Sequence, residues 1–161
     1  MNLIAKLLPP SNIILDLNVS SKKRIFEQVG LLFENHQGIA RSQVFDSLFT
    51  REKQGSTAFG HGIAIPHGRM RGLKDAVAAF IRMQKPVPFE APDGKPVSLI
   101  FVLLSPEHAN NLHLQILGEL AQLFSSDDVR EQLAVSQDIS EIHRLLIGEE
   151  TYAANQHPPG L

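Results

Sequence analysis

His67 closes a run whose residue types suit nucleophilic chemistry: Gly55-Ser-Thr-Ala-Phe-Gly-His-Gly-Ile-Ala-Ile-Pro-His67-Gly-Arg69. Gly55, Gly60, Gly62 and Gly68 all fall in this stretch, yet Ile63-Ala64-Ile65 keeps a short apolar segment in its middle. An apolar run bounded by turn residues reads as a strand. Pro66 fixes φ and lacks an N–H, so the strand ends at or near it. The spacing therefore puts His67 at a strand end, with Arg69 and Arg71 beyond it as cations. A neutral imidazole nitrogen attacks phosphorus directly and titrates near physiological pH. An imidazole ringed by cations suits attack on something anionic. On residues alone, an ordinary surface histidine stays open as the other reading.

Further residues could join it. His113 falls on the first turn of an expected helix, at the margin of the stripe Leu117, Leu120 and Phe124. It is either a second site histidine or a partly buried one bonded to backbone. Arg51 closes an expected helix, where a cation also complements the helix dipole. Ser56 and Thr57 follow it and offer hydroxyl or backbone contacts to phosphate. His61 lies six residues before His67 across a strand, hence on the same face. With His113 the pair would make a three-histidine zinc site of the catalytic kind. No carboxylate is obviously placed to orient such ligands, and no metal or cofactor is expected. His36, His108, His143 and His157 receive no role.

These residues need elements to hold them. Residues 3–8 suit a short helix stopped by Pro9-Pro10, and Ile13 to Leu17 suits an edge strand. Ser20 or Ser21 caps a helix with Ile25, Phe26, Val29, Leu32 and Phe33 on one face, ended by Gly38. A second helix from about Ser42 carries Val44, Phe45, Leu48 and Phe49 and delivers Arg51 at its end. Ala76 to Met83 and Val97 to Leu104 are apolar almost without alternation, as in strands buried on both faces. The stretch from Lys85 to Pro96 between them is turn-rich, with Asp93-Gly94 its tight-turn candidate. A helix is expected over 110–124, a short one from a Ser126 cap to about Ala134, and a last one from Ser136 to Ile147. Helices before, between and after buried strands predict an α/β layered domain over residues 1–148. Residues 149–161, containing Asn-Gln-His-Pro-Pro-Gly, are expected to be a disordered tail.

Composition excludes several classes. The chain has 161 residues, enough for one domain with a sizeable core. A net charge of -2 argues against nucleic-acid binding through a broad basic face. With no cysteine there is no disulfide, thiolate metal site or cysteine nucleophile. The apolar run at the N-terminus is too short for a signal peptide or a membrane span, so a soluble, cytoplasmic protein is expected.

The motif also resembles a known pattern. Glu52, then Phe59-Gly60, then Ile63-Ala64-Ile65-Pro66-His67-Gly68 is similar to the phosphohistidine signature of the mannitol/fructose-type IIA proteins of the bacterial sugar phosphotransferase system. Arg51-Glu-Lys-Gln-Gly-Ser-Thr, with Gly-Ile-Ala-Ile-Pro-His-Gly, looks like the nitrogen-regulatory branch of that family. His61 departs from it, since that branch often carries Asn between these glycines. The resemblance implies a mixed β-sheet flanked by helices, with the active histidine near one sheet edge. It implies a phosphoryl carrier rather than a free-standing enzyme. His67 would accept the group from a small histidine phosphocarrier protein, His113 would hydrogen-bond and orient it, and Arg51 would offset its charge, in a transfer that depends on positioning. Docking would use a mainly apolar patch, for which Phe59, Ile63 and Met70 are candidates, and regulatory target proteins would respond to the phosphorylation state. Two alternatives stay open: a fructose- or mannitol-specific IIA that passes phosphate to a IIB domain, and a binding module without phosphoryl chemistry.

Overall fold

Two strands that are apolar on both faces can be buried only between two layers, and that requirement shapes the molecule. A computed structural model describes residues 3–148. Its central pair is β5 (Val77–Val87) and β6 (Val97–Pro106), antiparallel from Val77 opposite Leu104 to Val87 opposite Val97. Side chains alternate across a sheet. Ala78, Phe80, Leu99, Phe101 and Leu103 therefore enter one core, while Ala79, Ile81, Ile100, Val102 and Leu104 enter another.

Helices cover both faces. The second core is closed by α1 (Lys22–Gln37), through Phe26, Val29 and Phe33, and by α2 (Arg41–Lys53), through Val44 and Leu48. The first is closed by α3 (Asn110–Phe124), α4 (Asp127–Val135) and α5 (Ile139–Leu146), through Ile116, Leu120, Phe124, Leu133, Ile142 and Leu145. The remaining strands are β1 (Ile13–Leu17), β2 (Ala58–Gly60), β3 (Ile63–Ala64) and β4 (His67–Met70). The path across the sheet is β1-β5-β6-β3-β2, and β4 also pairs with β6. Parallel β1/β5, β3/β6 and β4/β6 pairs beside antiparallel β5/β6 and β2/β3 pairs make the sheet mixed. The expected α/β class, with a mixed sheet flanked by helices, is the one found.

Local chemistry sets the boundaries, and several differ from expectation. Ser21, not Ser20, caps α1, accepting from Arg24 N at 3.1 Å, and Gly38 in the left-handed region ends it. The residues before Pro9 form a 3-10 turn over Leu3–Lys6. α5 starts later than expected, because Asp138 is its cap and accepts from Ser140 N at 2.9 Å. The carbonyl of Ser136 instead accepts from Arg82 at 2.5 Å. β5 continues past Met83 to Val87, and its register against β6 shifts between Arg82 and Val87. Such an interruption is where a strand tolerates a residue without an N–H, here Pro86. The expected turn at Asp93-Gly94 is present: Gly94 N donates to Ala91 O at 2.9 Å, with Gly94 at φ 72. The tail expected over 149–161 lies outside the described residues.

Arg82 is buried on the α4–α5 side of the sheet. Its guanidinium reaches Asp16 on β1 at 3.1 and 3.3 Å, Leu133 O at 3.2 Å and Gln137 at 3.1 Å, so its charge and donors are met.

Candidate active site

Pro66 divides the glycine-rich run into two short strands, both parallel to β6. β3 ends at Ala64, Ile65 N donates to Thr57 O at 3.0 Å, and Leu103 N donates to Pro66 O at 3.0 Å. β4 then starts at His67, opposite Leu103. Period-2 alternation from there puts His67 and Arg69 on one side and buries Gly68 and Met70 on the other. α2 lies close against β4 at Gly68, where a Cβ would sit 3.2 Å from the Ser47 carbonyl oxygen and collide with its side chain. Only glycine lets the helix approach this near.

A cleft results, with His67, Gly68 and Arg69 from β4, Arg51 and its neighbours on α2, and His113 from α3. The imidazoles of His67 and His113 lie side by side in it, with ring centroids 5.4 Å apart and planes tilted by 58°. His67 Nδ1 lies 2.7 Å from Ile65 O. A carbonyl only accepts, so Nδ1 carries the proton of the neutral ring and Nε2 keeps an unshared lone pair. Burial holds the His67 pKa below the usual histidine value, helped by the Arg51 and Arg69 cations; the Ile65 carbonyl and Glu52 oppose this. His113 is buried, and its pKa falls to about 4, through burial first and then the charges of His67 and Arg69. Both rings are therefore neutral at pH 7.

Arg51 sits in the last turn of α2 and donates from Nη1 to Gly55 O at 2.8 Å, so its side chain bends over the loop that follows. Glu52 secures the same loop from beneath. Its buried carboxylate accepts from Thr57 N at 2.9 Å, Thr57 Oγ1 at 2.6 Å and Lys22 Nζ at 2.9 Å.

The structure brings His67, His113 and Arg51 together at one cleft and sends other candidates elsewhere. Ser56 Oγ donates to Phe89 O at 2.5 Å, and the Thr57 hydroxyl is taken by Glu52, so neither hydroxyl has a proton left for phosphate. Both residues hold the loop rather than line the cleft. Ile63 (0% exposed) and Met70 (6%) belong to the cores and present nothing to a partner. Phe59, at 37%, stays exposed. His61 occupies an exposed turn at φ 56, its N–H donating to Asp93 at 3.3 Å, and does not join the cleft. Among the described residues no three metal-ligating side chains gather, so the zinc reading has no assembled ligand set. Arg71 leaves the site and pairs with Glu107 at 3.6 Å.

Two residues, Leu114 and Ser105, escaped the reading from sequence, while Arg69 was expected only as a cation beyond His67. That cation, two positions after His67 on the same strand, lines the cleft and donates to Asn110 on α3. Leu114 follows His113 on α3 and is 62% exposed, an apolar side chain open to solvent. Ser105 is fully buried at the end of β6, with its Oγ 2.6 Å from His113 Nδ1. The lone hydroxyl after the run Val97 to Leu104 was its only signal.

With this geometry in place, similarity to known proteins is specific. The family model described as Phosphoenolpyruvate-dependent sugar phosphotransferase system, EIIA 2, matches residues 6–148. A nitrogen regulatory protein of Bradyrhizobium diazoefficiens is 38% identical over 143 residues, covering 89% of this chain and 94% of the relative. The crystal structure of nitrogen regulatory protein IIA-Ntr from Neisseria meningitidis aligns with a TM-score of 0.86 at 52% identity, over 89% of this chain and 99% of that one. IIA mannitol of Escherichia coli aligns with a TM-score of 0.73 at 23% identity, over 86% and 97% of the two chains, a likeness of fold. Among the described residues no helix is long and apolar enough to cross a membrane.

Proposed function

The chain belongs to the EIIA 2 family of the phosphoenolpyruvate-dependent sugar phosphotransferase system, and from that premise we propose that it is a regulatory phosphohistidine carrier working through His67. Its similarity to nitrogen regulatory proteins supports the regulatory side of the reading. The observation that carries the chemistry is the hydrogen bond from His67 Nδ1 to Ile65 O, which leaves Nε2 as the free nucleophile.

The donor is a small protein carrying a phosphohistidine. Its phosphoryl group enters the cleft between the two arginines, which hold the charge spread over the oxygens. A new Nε2–P bond forms on His67 as the donor's N–P bond breaks, and the donor's nitrogen leaves with the electron pair. His67 keeps its Nδ1 proton throughout, so no proton has to move between the proteins. The phosphorylated ring is cationic, and the Ile65 carbonyl dipole stabilises it. His113 donates to a phosphoryl oxygen, and the docked partner excludes water from the bond. To that docking we assign Phe59 on β2 and Leu114 next to His113, both exposed apolar side chains.

Intact mass after incubation with the general phosphotransferase donor proteins tests the reading. Wild type gains one acid-labile phosphoryl group and His67→Ala gains none. Labelling of His67→Ala at the wild-type level would refute it. Adding a IIB domain to the labelled protein then asks whether a sugar branch also accepts the group.

A further inference from the structure

Two imidazoles in one cleft pose a chemical question that their 5.4 Å separation does not answer: which of them takes the phosphoryl group. The answer lies in what holds each ring. An imidazole nitrogen bonds to phosphorus only through an in-plane lone pair, which a protonated nitrogen lacks. For His67 the bare nitrogen is Nε2, because a carbonyl fixes the proton on Nδ1.

For His113 the partner is a hydroxyl, which either donates or accepts. Among the described residues Ser105 Oγ has one hydrogen-bond partner, His113 Nδ1 at 2.6 Å, and the residue is fully buried. If Nδ1 carried the proton, the Ser105 hydroxyl would accept, and its own hydrogen, buried with the side chain, would have no acceptor among the described residues. Burial penalises such an orphan donor. The satisfied arrangement has Ser105 O–H donating to Nδ1, which puts the ring proton of His113 on Nε2.

We propose that Ser105 is a positioning residue that makes His113 a hydrogen-bond donor and confines phosphorylation to His67. The inference rests on the carrier reading above. With Ser105 in place neither nitrogen of His113 is available: Nδ1 is capped by the hydroxyl and Nε2 is protonated. That same Nε2–H is the group able to donate to a phosphoryl oxygen held on His67. Ser105 acts through His113 and touches no reacting atom.

The test combines the nitrogen NMR signals of the His113 ring with phosphoryl transfer on the full chain. In wild type the ring shows Nε2 protonated and Nδ1 as acceptor. Ser105→Ala loses the Nδ1 hydrogen bond, its transfer rate to His67 falls roughly tenfold, as when a group orienting a site histidine is removed, and part of the phosphate maps to His113. Ser105→Thr, which keeps the hydroxyl, stays near the wild-type rate with His67 alone labelled. Wild-type spectra showing His113 protonated on Nδ1 would overturn the inference without any variant. A Ser105→Ala protein that transfers at the wild-type rate to His67 alone would overturn it by itself, leaving the carrier reading intact. A wild type that never gains a phosphoryl group would overturn both.

Discussion

At the scale of the residue, His67 works because opposing influences on its ring favour the neutral form. Burial and the two arginine charges lower its pKa more than the Ile65 carbonyl and Glu52 raise it. The arginines therefore do two things at once, since they attract an anionic group and keep the nucleophile unprotonated. An NMR titration of the His67 ring should show a midpoint below 6.5, and Arg69→Gln should move that midpoint upward by removing a repelling charge. A midpoint above 6.5, or a downward move in the variant, would contradict this account of the site. Arg51→Gln should move it the same way, because Arg51 is the larger of the two cationic influences.

At the scale of the element, the site depends on β4 lying hard against α2. Gly68 makes that possible, and Ser47 ties the contact by donating to Arg69 O at 3.3 Å. Gly68→Ala should cost about 1–3 kcal/mol, the usual penalty for overpacking, and lower the urea midpoint with little change in its slope. The double variant with Ser47→Gly should recover part of the loss, whereas no cost in the single variant would show the contact to be loose. Helices were legible here because their signals are local: the stripe from Leu112 to Phe124 and the Gly38 stop are read from neighbours in the chain. Strands were less so. Pro86 suggested that β5 had ended, although the bulge lets the strand pass through it. Ile63 and Met70 were expected at a surface, and only the β3–β6 pairing and the packing of α2 on β4 bury them. Ser105 and His113 lie eight residues apart, on a strand and a helix, so the distance that joins them is tertiary.

At the scale of the whole molecule, one sheet serves two cores, and the site's histidines are part of its stability. Both rings are held neutral when folded, so the unfolded chain takes up protons first as pH falls. The stability they contribute is complete above about 6.5, the unfolded histidine value. For His113 it is lost progressively as pH falls from there through about 4. Denaturation followed by circular dichroism should show the unfolding free energy dropping across that window, and His113→Gln should flatten part of the drop. An equal drop in both proteins would remove His113 from the explanation. Finally, the two rings are anchored by different kinds of partner. The nucleophile leans on the main chain at Ile65, which every substitution at that position would still present. Its companion leans on a side chain, which a single codon change can delete. The direction of the reactive lone pair is thus inherited with the backbone, while the discrimination between the two rings is inherited letter by letter. Within this architecture, drift can blur which ring is modified long before it disarms the nucleophile.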